Sequence, residues 1–382
     1  MAVGFPTKAN WAAGDVLTAS ALDDLAGTVN LLSNATATSG SQLVSNAAGT
    51  SVAYVATPSA SNPVLNSGFN VWQRGTSIAV AASSQVYTAD RWQIQTNANT
   101  ATTVARYATN DTTNLPFIQY CARFQRNSGQ TGAGFSVAQS FETINSVPFA
   151  GKQITYSFYA RAGADYSPTS KLLTRGLIGG TGTDQNFFSG YTSQANYGFG
   201  TVTLTTTWQR FTVTDTIGST ITELAPYFSI SSTGTAVTND YFEVTGVQID
   251  IGPVALPYRG CAATYQQELA ACQRYYYRVG GSSAYSYFGS GAFLSTTATR
   301  YVVNYPVTLR TAPTFNSSAA NTFLVMSSGN TGGDAPSAIG TDNLSNNAAA
   351  VNLTSTARTA GIGAMFLANN NLNTYLEFSA EL

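Results

Sequence analysis

The chain has 382 residues, 43% of them hydrophobic and only 9% charged, with a net charge of −1 and no histidine. That length suggests roughly two or three domains, and the apolar content excludes global disorder. The weak, balanced charge excludes an electrostatic footprint for nucleic acid, and the missing imidazole removes the commonest proton shuttle and metal ligand.

Residues 1–33 stand apart from the rest. The stretch from Thr18 to Ser33 reads as a helix, which Thr18 or Ser20 can cap, with Asp23 and Asp24 in its first turns to complement the helix dipole. Leu22, Leu25, Val29 and Leu32 recur three and four apart, a narrow seam of heptad type. One short seam is not stable alone in water. The helix either packs on its own domain or serves to oligomerise or dock. The second reading is favoured because residues 34–62 form a flexible or extended arm of small polar residues with no local core. The opening MAVGFPTKANWAAGDV lacks the layout of a secretory signal, so synthesis in a cytoplasm is expected. No apolar run approaches the ~20 residues of a membrane span, and membrane insertion is not expected.

From Pro63 the apolar period becomes two. Ile118, Tyr120, Ala122 and Phe124 alternate with polar neighbours, as do Ile154, Tyr156, Phe158 and Ala160. Val202, Leu204, Thr206 and Trp208 form a third such series. Each is read as a strand with one buried face. The apolar phase slips after Trp208 and again at Gly246, as a β-bulge produces. Many strands separated by small-residue turns, with no helical pattern between them, predict a two-sheet antiparallel sandwich over 63–260. Trp72, Trp92 and Trp208 are read as its core, and Asp90 beside Arg91 as a local ion pair worth little if exposed.

Residues 261–279 are expected to form a connecting helix, with Thr264 and Gln267 in capping-box spacing and Leu269, Cys272 and Tyr276 on one face. Tyr275 and Tyr277 are left for an interface. Residues 280–382 return to β pattern, clearest in Tyr301, Val303, Tyr305, Val307 and Leu309; Pro306, on the opposite phase, suits an edge strand. Cys121, Cys261 and Cys272 are expected as buried or half-buried thiols, a Cys261–Cys272 bridge being open on spacing alone.

Several segments resemble a known family. NPVLNSGFNVWQRGTS, YTADRW, GKQITYSFYARAG, TTTWQRFTVT and VTGVQIDIGPVALPYR are similar to the jelly-roll domain of tailed-bacteriophage tail fibre and adhesion proteins, a domain itself similar to carbohydrate-binding modules. YQQELAACQRYYYR and VNYPVTLRTAPTF resemble the segment that follows it, and FPTKANWAAGDVLTASALDDL resembles attachment segments of phage minor structural proteins. The resemblance ends near Phe315. It implies a virion protein made in the host cytoplasm, usually a homotrimer. Its N-terminus would contact other tail or baseplate proteins, and its C-terminal β-rich domain would point outward towards a host glycan or receptor. The expected fold is mostly β: an antiparallel jelly-roll β-sandwich with a short N-terminal helical anchor and a C-terminal β-rich domain.

No catalytic residue, cofactor or metal site is assigned. A serine or cysteine triad is impossible without histidine. Glycoside hydrolysis needs two carboxyl groups across one cleft, whereas Asp90, Glu142, Asp165, Asp184, Asp215, Glu223, Glu243 and Asp250 are scattered and read as solvated strand faces. The Gly246 slip leaves the relative facing of Glu243 and Asp250 open. LIGGTGTD lacks the lysine and following helix of a phosphate loop and reads as a turn. Sugar binding fits better, because exposed tyrosines stack on sugar faces while amides and hydroxyls bond their edges. Tyr285 and Tyr287, in the loop GGSSAYSYFGSG, are the candidate glycan contacts, beside the alternative that they are ordinary strand or interface aromatics. A purely structural baseplate, neck or head-decoration protein and a tail-associated depolymerase are the rival functions.

Overall fold

The computed structural model describes residues 41–45, 52–56 and 62–382, apart from 282, 328–332 and 357. The expected helix of residues 18–33 and its seam of Leu22, Leu25, Val29 and Leu32 lie outside the described residues. Within the arm, β1 (Ser41–Ser45) and β2 (Val52–Ala56) pair antiparallel.

The sandwich is built from β3 (Ser77–Val80), β4 (Gln85–Tyr87), β5 (Gln93–Thr96), β6 (Thr102–Ala108), β7 (Tyr120–Arg126), β8 (Phe135–Ala138), β9 (Gln153–Ala162), β10 (Leu172–Gly180), β11 (Ala195–Thr203), β12 (Gln209–Thr216), β13 (Glu223–Ser229) and β14 (Tyr241–Ile251). One six-stranded sheet has the order β11-β10-β13-β8-β5-β4, the other β12-β9-β14-β7-β6-β3, antiparallel throughout. This is the two-sheet antiparallel sandwich that period-two patterning predicts, in keeping with the jelly roll that the resemblance implies. Ile154, Tyr156, Phe158 and Ala160 enter the inter-sheet core from β9, and Leu173, Leu177 and Phe228 meet them from the facing sheet. Phe158 and Phe228 pack edge to face at 4.9 Å. Each such buried ring contributes roughly 1.5–3 kcal/mol by leaving water.

The central strands depart from simple alternation. β14 carries a bulge at Gly246 (φ +59), where its register against β9 shifts between Thr245 and Gln248. Phe242, Val244, Val247 and Ile249 all reach the core, so Glu243, Thr245, Gln248 and Asp250 all point the other way. That outer face is buried too, because the segment after β14 folds back over it. Arg259 N donates to Gln248 Oε1 (2.8 Å) and Leu256 N to Asp250 Oδ2 (3.1 Å).

Three sequence readings need correction here. The slip after Trp208 is a crossing between sheets: β11 ends at Thr203, and β12 begins at Gln209 in the opposite sheet. Trp208 is buried in a satellite cluster with Leu115, Ile118 and Cys121, whereas Trp72 and Trp92 join the main core. Asp90 and Arg91 are both buried and do not pair with each other. Asp90 accepts from Gln73 N (2.9 Å) and lies 4.0 Å from Arg74, while Arg91 reaches Glu381.

The connecting helix spans Tyr265–Gln273, shorter than expected. Thr264 caps it by accepting from Gln267 N, and the Gln267 side chain accepts from Ala263 N (3.2 Å), one residue before the cap. Its buried positions are Glu268 and Cys272; of the expected face Cys272 and Tyr276 are buried, whereas Leu269 is only half-buried. The run Tyr275–Tyr276–Tyr277 leaves the helix because aromatic residues favour strand and Tyr276 opens β15. Tyr275 and Tyr276 are both buried. All three cysteines are free thiols, Cys121 and Cys272 buried and Cys261 half-buried.

The C-terminal unit comprises β15 (Tyr276–Gly280), β16 (Tyr287–Phe293), β17 (Ala298–Asn304), β18 (Thr314–Ser317), β19 (Phe323–Ser327), β20 (Gly333–Asp334), β21 (Ala338–Leu344), β22 (Ala348–Thr354), β23 (Gly363–Ala368) and β24 (Tyr375–Ser379). They form sheets of order β15-β24-β18 and β20-β19-β23-β16-β17-β22-β21 around a second core that includes Phe288, Tyr301, Phe366 and Phe378. β17 is an interior strand that stops at Asn304, so Pro306 lies beyond its end and not on an edge strand.

Candidate functional site

Tyr285 and Tyr287 stand side by side on the surface of the C-terminal unit, 53% and 65% exposed. Alternation explains the placement. Ser286 and Phe288 point inward, Phe288 meeting Phe323 edge to face at 5.2 Å, so Tyr287 between them and Tyr285 before them point out. Tyr287 opens β16 opposite Leu367, and only Tyr285 lies in the preceding turn. Ser286 Oγ pins that turn by accepting from Ser283 N (2.8 Å).

A second chain segment completes the surface. Ala368 N donates to Ser286 O (2.8 Å) and Asn371 N to Ala284 O (2.9 Å), which fastens the stretch Asn369–Asn370–Asn371–Leu372–Asn373 alongside the tyrosines. Asn370, Leu372 and Asn373 are exposed. Asn371 Oδ1 accepts from Asn373 N (2.8 Å), and Asn369 Nδ2 donates to Asn321 O (3.3 Å). Two exposed phenol rings beside several primary amides can stack on an apolar sugar face while donating to and accepting from its hydroxyls. Sequence reading named the tyrosines and missed the asparagines. The run NNNLN was visible, but nothing local tied it to a segment more than eighty residues earlier.

The sandwich carboxylates are engaged elsewhere, and most are buried, not solvated as expected. The Gly246 bulge does put Glu243 and Asp250 on one face, which settles the facing the sequence left open, but each is occupied. Glu243 receives Arg123 (Nη2, 2.6 Å) and Arg161 (Nε, 2.5 Å), while Asp250 pairs with Arg259 (2.7 Å). Glu142 accepts from Arg274 (Nε, 3.0 Å; Nη2, 2.9 Å) and from the Tyr275 hydroxyl (2.5 Å). Burial opposes ionisation of Glu142, yet these donors outweigh it and hold the carboxyl below its ordinary value. Glu223 is fully buried and accepts from Thr143 Oγ1 (2.8 Å), and burial raises its pKa. Asp184 accepts from Thr143 N (2.8 Å) and Asp215 from Gly198 N (2.5 Å); Asp165 accepts from Asn239 Nδ2 (3.2 Å). Among the described residues no group of three or more Cys, Asp or Glu side chains converges to hold a metal ion.

No family model matches the chain, and no curated protein matches it. Solved structures do. A family 61 carbohydrate-binding module in complex with β-1,4-galactotriose is 13% identical over 50% of this chain and 99% of its own, at a TM-score of 0.30. The xylan-binding domain of module family 22 is 11% identical over 52% and 100%, at 0.30. The enzymatically active domain of bacteriophage CBA120 tailspike protein 4 is 13% identical over 50% of this chain and 21% of its own, at 0.31. At such identities and scores the likeness transfers no ligand and no activity to this chain.

Proposed function

We propose that this chain is a non-catalytic adhesin of a tailed-phage virion, assembled as a homotrimer in the host cytoplasm, fixed to the particle through residues 1–33 and binding host-surface glycan through its C-terminal unit. The observation that carries the glycan part is the pairing of Tyr285 and Tyr287 with the exposed amides of Asn370 and Asn373. The resemblance of QQELAACQRYYYR and of the N-terminal segment to tail fibre proteins supports the virion part. The tying of Glu142, Glu243 and Asp250 to arginines favours adhesion over depolymerisation, which needs two carboxyl groups free to face one bond. Multivalency lets weak single sites suffice.

The test is retention of host-surface polysaccharide by the full chain, compared with the Tyr285→Ala/Tyr287→Ala double variant. Retention by the parent and its loss in the variant is expected, with no new reducing ends released. No retention by the parent would leave a purely structural virion component, and released reducing ends would make it a depolymerase. For assembly, Leu25→Asp with Val29→Asp is expected to lower the sedimentation coefficient; an unchanged value would remove the seam from the oligomer.

A further inference from the structure

An open groove of about 510 Å³ lies between the second sandwich sheet and the N-terminal turn of the connecting helix. Asn70, Arg106, Tyr120, Tyr258, Tyr265 and Glu268 line it. Its volume falls within the range of small-molecule sites. The Arg106 guanidinium lies 4.5 Å over the Tyr120 ring, and its Nη1 donates to Asn70 O (3.2 Å). Asn70 Nδ2 in turn donates to Glu268 Oε2 (3.1 Å). The other Glu268 oxygen faces the Cys261 thiol at 3.5 Å, and burial pushes that thiol up to about 12.

Glu268 is only 6% exposed, yet its partners are an amide and a thiol. Among the described residues neither Glu268 nor Arg106 has an opposite charge at ion-pair distance. Elsewhere Arg91, Arg123, Arg126, Arg161 and Arg259 are each matched to a carboxylate. A carboxylate has about four lone-pair directions, so two neutral donors leave acceptor capacity unused at the groove floor. Leaving a buried charged group short of partners is costly, which marks the place where a ligand donor fits.

We infer that the groove is a second binding site, taking one unit of a neutral, hydroxyl-rich ligand of the hexose class. Its guanidinium and carboxylate cancel, so a cationic sugar drawn to Glu268 is opposed by Arg106, and an acidic sugar meets the reverse. A neutral polyol satisfies both, donating hydroxyl hydrogens to Glu268 and accepting from Arg106. Tyr265, 52% exposed at the rim, presents a ring on which a sugar face can stack. The site shares no residue with the Tyr285–Tyr287 surface and stands whether or not that surface binds glycan.

The experiment is saturation-transfer NMR on the full chain with D-glucose, D-galactose and N-acetyl-D-glucosamine, and with D-glucuronic acid and D-glucosamine as charged comparators. At least one neutral sugar is expected to bind, and Tyr265→Ala or Glu268→Gln to weaken it about tenfold. Tyr265→Ala, at an exposed position, is expected to keep the parent melting temperature, so its loss of binding reads the site and not the fold. The inference is overturned if no neutral sugar binds, if only a charged sugar binds, or if both variants bind as the parent does.

Discussion

Arg91 and Glu381, 290 positions apart, close a buried ion pair that joins the sandwich to the end of the C-terminal unit. Arg91 sits in a tight turn at φ +71, held by bonds between Thr88 and Trp92. Its guanidinium also lies 3.6 Å over the Tyr275 ring and donates to Ser140 O (2.6 Å). Burial works against its charge, but the Glu381 carboxylate prevails and raises the guanidinium pKa above its ordinary value. Arg74 repeats the arrangement, bonding the other Glu381 oxygen at 3.1 Å while lying 3.5 Å over Tyr276. Asn186 Nδ2 (2.7 Å) and the Tyr87 hydroxyl (3.0 Å) then hold Leu382 O. Two arginines of the sandwich thus grip both the tyrosine run that enters the C-terminal unit and the strand end that leaves it.

Removing one member of that pair leaves the other charge buried and uncompensated. Glu381→Ala is expected to cost roughly 3–5 kcal/mol of stability, read from the denaturant midpoint and slope. A loss below about 1 kcal/mol, the range of an exposed pair, would show that water reaches Arg91.

The Glu142 junction with Arg274 and Tyr275 makes the domain contact sensitive to acid. A carboxyl whose folded pKa is depressed contributes stability above its unfolded value, lost as pH falls through the folded one. The melting temperature is therefore expected to hold above about pH 5 and to fall below it. Glu142→Gln should flatten part of that fall. An identical acid profile in the variant would assign the sensitivity to other carboxyls.

Glu223 has the opposite sign. Burial raises its folded pKa, so the protonated form suits the fold, and its contribution is lost as pH rises through the folded value. Glu223→Gln keeps an acceptor for Thr143 and carries no charge. It is expected to melt higher than the parent at pH 8 and to approach the parent at pH 4. A variant less stable at both values would show that the ionised form is the one the fold holds.

At Gly246 a Cβ would meet Ile118 Cδ1 and Tyr159 Cδ2, each at 2.8 Å, and the φ of +59 disfavours any L side chain. Gly246→Ala is expected to cost roughly 1–3 kcal/mol, from the left-handed backbone and overpacking together. Equilibrium unfolding measures it. A neutral result would mean that the bulge can migrate along β14.

Period-two patterning was enough to read β7 and β9 and the sandwich as a class, because one apolar face per strand is a local property. The same logic placed the Gly246 bulge and the outward turn of Tyr285 and Tyr287. Pairing between distant segments was not legible. Asp90 and Arg91 are neighbours, so they read as a pair, yet backbone geometry turns them to different partners, and Glu381 could be found only once the chain had folded back. The buried arginine–carboxylate pairs look like scattered surface charge for the same reason: burial depends on what covers a residue, and residues 252–260 cover Gln248 and Asp250 only in three dimensions. Adjacency and periodicity are written along the chain and determined strands, turns and sandwich. Closure of charges, the amide loop beside the tyrosines and the groove beneath the helix were decided by the tertiary structure, because each depends on surfaces that segments far apart in sequence present to one another.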